Sequence, residues 1–203
     1  MQQIKEYIES GILELYVLGD ATPEQAASIE QMAAAHPEIA AEIDSIERSL
    51  HDYSRANAIT PDQTIKPFLM ATIDYSERIK NGETVSFPPE INANAAISDY
   101  NEWLTRDDMV APGNLPDLYA KIIGYTPAMT TAIVWIKQMA PQETHHDEIE
   151  KFLIVEGTCD IIIGQEVHQL TAGDTLSIPL HKPHFVKVTS IIPCKIILQR
   201  IAA

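Results

Sequence analysis

Thr144-His-His-Asp-Glu-Ile-Glu150-Lys-Phe-Leu-Ile-Val-Glu-Gly157 is followed, after a turn, by Gly173-Asp-Thr-Leu-Ser-Ile-Pro179-Leu-His-Lys-Pro-His184. The first half sets His146 four residues before Glu150, and Gly157 closes it. The second half has Gly173, Pro179 and His184 as its landmarks. A strand alternates its faces, so residues two apart share one side. Neutral imidazole and carboxylate together suit a divalent metal, with zinc, iron, manganese, nickel and copper all compatible.

These paired segments resemble the two motifs of the cupin superfamily, a small antiparallel β-barrel with a metal-binding mouth. In that family a His-x-His, a Glu and a later His converge on one divalent metal from adjacent strands. The resemblance implies a metal held by His146, Glu150 and His184, with zinc as the first choice and iron, manganese or nickel as others. Thr144 stands where the family has its first His. A second register takes His145 as the second His and puts Glu143 at the first position, so His145 and His146 are alternative ligands. The Gly-x5-Pro-x4-His frame places His184 on the barrel, and His181, where the family has Gly, lines or overhangs the mouth. A Glu directed into an apolar barrel needs a metal or a hydrogen-bond partner to offset its desolvation, which is the case for Glu150. His168 reads as a packed core side chain.

Outward from this stretch the chain has the strand pattern of a closed barrel. Short runs rich in β-branched residues lie at 118–123, 131–137, 152–155, 160–163, 175–178, 185–188 and 195–201, separated by turn residues. Trp103 and Trp135 read as packing groups. Cys159 and Cys194 form no Cys-x-x-Cys and no disulfide framework, and are expected to be buried thiols.

The first 80 residues have a different period. Ile4, Ile8, Ile12, Leu15 and Tyr16 recur at helical spacing, and Gly19 ends that helix. Thr22-Pro23-Glu24-Gln25 is a start signal, with an N-cap, a first-turn Pro and a capping-box Gln. The second helix stops near His36. Pro37 opens a third, with Ile39, Ile43, Ile46, Leu50 and Tyr53 as its apolar stripe. A fourth amphipathic segment spans about 65–79, and residues 81–95, with Asn-Gly and Pro-Pro, read as a linker. Ser98 to Leu104 reads as a short helix.

The run Glu9 to Gly19, the Thr-Pro-Glu-Gln-Ala-Ala start and Ala-His-Pro-Glu-Ile-Ala-Ala-Glu-Ile resemble the N-terminal domain of zinc-free, RskA-like anti-sigma factors. Followed by a cupin barrel, this is the architecture of ChrR-like anti-sigma factors. Those hold a zinc in the helical domain, whereas here no Cys precedes Cys159 and only His36 and His51 lie in the first 80 residues. No zinc is expected there.

The chain has 203 residues and a formal net charge of −15, from 29 acidic and 14 Lys and Arg side chains. That charge repels phosphate backbones and argues against direct nucleic-acid binding. Residues 1–80 carry 14 acidic and 6 basic groups, which fits a clamp on a basic protein partner and fits a solvated helix surface equally well. No apolar run reaches the length of a membrane span and no signal peptide is apparent, so a cytoplasmic location is expected.

The sequence thus predicts an α+β multidomain chain. A small all-α bundle occupies 1–80, a linker 81–95, and an antiparallel cupin barrel of the jelly-roll type 96–203. The resemblances imply an anti-sigma factor that sequesters an extracytoplasmic-function-type sigma factor. Its barrel would sense a metal or small molecule and form a homodimer. The alternative is a metal-dependent cupin dioxygenase or isomerase with a helical appendage.

Overall fold

The computed structural model describes residues 2–203 and divides into two compact units, 1–60 and 61–203. No helix among the described residues is long and apolar enough to cross a membrane.

The first unit holds α1 (Gln2–Ile8), α2 (Ile12–Leu18), α3 (Pro23–Ala35) and α4 (Pro37–Ala56). The expected single first helix is broken in two. Apolar spacing runs unbroken from Ile4 to Tyr16, but Gly11 takes a φ of 82°, which a helix interior does not allow. Gly19 also adopts the left-handed conformation, and its N–H returns to the Leu15 and Tyr16 carbonyls. The capping box at α3 is complete. Thr22 Oγ1 accepts from the Gln25 N–H at 3.3 Å, and Gln25 Oε1 accepts from the Thr22 N–H at 2.8 Å. Leu13, Ile29 and Ile39 form the buried centre, with Ile43 and Ile46 packed against it. The α4 stripe outruns this core: Tyr53 is 70% exposed, and Leu15 and Leu18 on α2 are exposed as well.

The second unit starts earlier than the sequence suggests. The fourth helix, α5 (Ile65–Lys80), lies on strand β1 (Leu118–Thr126), so it belongs to the β unit and not to the helical one. Its amphipathic stripe required a partner without naming one. Phe68, Ala71 and Tyr75 enter the same core as Leu118, Ala120 and Ile122. Arg78 then ties the helix down, donating to Asp74, to Glu83 at 2.6 Å and to the Ile122 carbonyl.

The remaining strands are β2 (Met129–Ile136), β3 (Met139–Glu143), β4 (Glu148–Glu156), β5 (Thr158–Ile163), β6 (Glu166–Thr171), β7 (Thr175–Ile178), β8 (His184–Val188) and β9 (Cys194–Ala202). They form two antiparallel sheets, ordered β1-β2-β9-β4-β7 and β3-β8-β5-β6. The sheets pack as a sandwich whose inner face follows period-two alternation. Ala132, Val134 and Ile136 of β2, Phe152 and Ile154 of β4, and Cys194, Ile196 and Leu198 of β9 point inward together. Cys159 joins them from the other sheet, and both cysteines are free and buried.

Residues 81–95, expected to be a linker, are strapped onto the outer face of the five-stranded sheet. Gln199 accepts from the Ile91 N–H at 2.7 Å and donates to the Pro89 carbonyl at 2.7 Å. Ser86 donates to the Ile123 carbonyl and accepts from the Trp103 indole, each at 2.9 Å. A 3-10 turn at Ile97–Tyr100 and the short α6 (Asn101–Leu104) follow. They place Tyr100 and Trp103 over Ile133, Trp135, Leu153 and Ile197 in a second buried cluster. Where the strap crosses β1, a β-carbon on Gly124 would fall 2.3 Å from Pro88 Cδ and 3.0 Å from the Ser86 carbonyl oxygen. We expect Gly124→Ala to lower the unfolding free energy by about 1–3 kcal/mol, the usual cost of overpacking, measured from the denaturant midpoint. An unchanged midpoint would mean the strap yields freely.

Candidate metal centre

The inward parity of three strands delivers the candidate site. Glu150 shares its face with Phe152 and Ile154, His184 with Val186, and Arg200 with Ile196 and Leu198. Register then aligns them: Glu150 pairs with Arg200 across β4 and β9, and His184 with Glu143 across β8 and β3. The ladder between β3 and β8 shifts after Ala140, and the strand ends at Glu143. In the turn beyond it His145 folds inward, its carbonyl accepting from the His181 N–H at 2.8 Å.

The result is a cluster of Glu143, His145, Glu150 and His184 whose ligand-type atoms all lie within 4.8 Å of one another. Glu150 and His184 have side chains that are 0% and 1% exposed. His184 Nε2 is 3.0 Å from Glu150 Oε2, and its Nδ1 lies 3.2 Å from the Lys182 carbonyl. His145 Nε2 is 3.4 Å from Glu150 Oε2 and 3.7 Å from Glu143 Oε2. The nitrogen is buried, and neither contact has good hydrogen-bond geometry. Arg200 closes the cluster from one side. Its Nε donates to Glu150 Oε1 and its Nη2 to Glu143 Oε2, both at 3.0 Å.

Of the sequence candidates, Glu150, His184 and His145 come together, and Glu143 of the second register joins them. His146 does not. It sits on the exposed side of the turn, where its Nδ1 is 3.0 Å from Nδ1 of His181. Strand alternation stops determining direction once the chain leaves β3, so the first register failed at that position. His181 overhangs the turn in the left-handed conformation, with a φ of 61°. His168 lies on β6, partly exposed and 3.7 Å from Glu166, outside the core. Trp103 and Trp135 are packing groups. Arg200 went unread in the sequence, although a charge continuing the inward series Ile196, Leu198 was the available signal.

Electrostatics separates the two carboxylates. Burial pushes Glu150 upward, but its contacts with His145 and His184 and the Arg200 charge outweigh this and hold it below the ordinary range. Glu143 goes the other way: burial and the Glu150 charge raise it, against the pull of Arg200. For His184, burial lowers the pKa, while the hydrogen bond to Glu150 and its charge raise it, and the net shift is upward.

The donor set fits a divalent cation. Two imidazoles and two carboxylates suit zinc and the other late first-row metals. Glu150 Oε2, turned away from Arg200, faces both imidazoles, while Glu143 faces His184 through Oε1 at 4.0 Å and His145 through its Arg200-bound Oε2 at 3.7 Å. Two ligand atoms at about 2.0–2.2 Å from one ion lie at most about 4.4 Å apart, so closure needs only small side-chain shifts. Buried polar atoms are rarely left without a partner, and the bare Nε2 of His145 is the atom such an ion would satisfy.

No curated protein matches the chain. Solved structures resemble part of the chain. The cupin domain of Schizosaccharomyces pombe Cnp3 is 12% identical, with a TM-score of 0.41, over 43% of this chain and 66% of that one. KdgF from Halomonas sp. is 19% identical, with a TM-score of 0.42, over 48% of this chain and 92% of the other. A protein from Thermotoga maritima described as a predicted oxalate decarboxylase is 14% identical, with a TM-score of 0.43, over 48% and 97%. The Cupin_2 family, the cupin domain, matches residues 132–199, so the part of the sandwich from β2 to β9 that carries the cluster is a cupin domain.

Proposed function

We propose that the second unit binds one divalent metal, with zinc as the first choice, through Glu143, His145, Glu150 and His184. The unpartnered, buried Nε2 of His145 at the centre of that donor set carries the reading. Its distances to the Glu150 and Glu143 oxygens, 3.4 and 3.7 Å, leave that nitrogen free to turn its lone pair to an ion. Arg200 holds one oxygen of each carboxylate and so fixes how both groups are presented to the imidazoles, as outer-shell partners of metal ligands do.

In this reading the chain is a regulator of the anti-sigma type. The helical unit holds a sigma factor of the extracytoplasmic-function kind, and the cupin unit responds to its metal or to a small molecule. One observation supports the helical part. Leu15, Leu18 and Tyr53 stay exposed on α2 and α4, as apolar residues awaiting a partner would.

The test has two arms. Metal analysis of protein purified without added metal is expected to show about one ion per chain, and Glu150→Gln with His184→Ala is expected to remove it. A ligand loss costs orders of magnitude in affinity because the remaining donors cannot close the coordination sphere. Protein that stays empty after growth with zinc, iron, manganese and nickel would end the metal assignment. Co-expression with the host's sigma factors is the second arm. Failure to retain any of them would end the regulator assignment.

A further inference from the structure

The guanidinium that orients the two carboxylates is itself held by the helix the sequence had assigned elsewhere. Arg200 Cζ lies 4.4 Å from the centre of the Phe68 ring, in cation–π geometry. Its far side donates to Glu150 and Glu143 at 3.0 Å each. An unbroken chain of contacts therefore runs from α5 to the donor set. The helix is not close-packed at this point. A cavity of about 180 Å³ lies beside the ring, lined among others by Phe68, Thr72, Thr130 and Arg200. Ala71, Tyr75 and Arg78 continue the contact with the sheet further along the helix.

We propose that α5 is the positioning element of the metal centre. Docking of Phe68 on Arg200 sets metal affinity, and metal occupancy in turn holds α5 on the sheet. The proposal rests on the metal reading above. An ion held by Glu150 and Glu143 would fix both carboxylates, and these would fix the plane of Arg200 against which the ring stacks. Coupling of this kind is reciprocal: whatever α5 adds to metal binding, the metal adds to the docking of α5. The direction matters for the chain as a whole, because α5 follows α4 after only residues 57–64. It is the element by which metal occupancy in the second unit would reach the segment leading to the first.

The experiment uses the full chain with zinc as the probe. Zinc affinity is measured by competition with a chromophoric chelator for the wild type, Phe68→Leu, Phe68→Tyr and Met70→Ala. Phe68→Leu keeps apolar bulk but removes the ring, and is expected to weaken zinc about tenfold, within the usual range for outer-shell and allosteric effects. Phe68→Tyr restores the ring and is expected to stay within about twofold of the wild type, a recovery that a purely space-filling role would not require. Met70 is exposed on α5 and serves as the control. Amide exchange of the unaltered chain adds a readout that needs no variant: zinc is expected to slow exchange in 65–80 and leave 37–56 unchanged. If the wild type binds zinc but Phe68→Leu binds it equally, or exchange in α5 ignores zinc, the coupling is overturned and the metal site stands. If the wild type binds no zinc, both fall.

Discussion

Arg200→Met is expected to cost the cupin unit about 3–5 kcal/mol at neutral pH, the usual penalty for removing one partner of a buried charge network. In chelator-treated protein, methionine fills similar space but leaves Glu150, whose side chain is fully buried, and Glu143 facing each other without the guanidinium. With total stabilities of about 5–15 kcal/mol for a domain, this is a large share. The pH dependence checks the cause. Glu150 is held below its ordinary value in the wild type, so its contribution is present above the ordinary carboxylate range and lost as pH falls through its depressed value. Glu143 is raised, so its ionised form is disfavoured by the fold, and stability falls as pH rises from its ordinary value toward the raised one. Without Arg200 both carboxyls shift upward, and one takes a proton on mild acidification. The gap between variant and wild type is therefore expected to narrow from neutral pH to about pH 4 in chelator-treated protein. Urea melts at the two pH values measure it. A pH-independent gap would mean that lost packing against Phe68, and not uncompensated charge, is the cause.

How far the site could be read in advance depended on where regular structure ends. Glu150 and His184 lie within strands whose apolar neighbours fix the parity, so alternation alone sends them inward. Arg200 obeys the same parity and was legible in principle, but an arginine near the end of a strand also fits an exposed edge. His145 and His146 lie in the turn after β3, where neither parity nor period applies, and only the return of the chain against His181 selects between them. The short strands β3 and β6 escaped notice because Pro141 interrupts one, and Glu166, His168 and Gln169 make the other largely polar. Gly11 hid its break inside continuous helical spacing. Amphipathicity did identify α5 as a helix with an apolar face, but nothing in a stripe says which surface will cover it.

That last ambiguity sets the second large effect. A fragment cut at residue 80, the boundary suggested by the sequence, is expected to leave residues 81–203 unable to fold cooperatively, while 61–203 folds. The shorter piece loses Phe68, Ala71 and Tyr75 from its core. At about 1.5–3 kcal/mol for a fully buried large side chain, and less for these partly buried ones and for alanine, the apolar loss alone comes to a few kcal/mol. It also loses the Arg78 bonds to Glu83 and to the Ile122 carbonyl. The remaining Glu83–Arg106 pair, at 2.8 Å, no longer joins a helix to the sandwich. Burial of apolar surface on β1 then falls to solvent, along with the support for Arg200. Together these losses approach the whole stability of a domain this size. The complementary fragments differ in the same sense. Residues 2–60 contain the complete Leu13, Ile29 and Ile39 core, whereas an N-terminal fragment extended to 80 carries α5 with its apolar face exposed. Thermal melts followed by circular dichroism, with sedimentation to detect association through the freed helix, are the measurement. A cooperative transition for 81–203 close to that of 61–203 would show that α5 is dispensable to the sandwich, and with it the route from Phe68 to the metal centre.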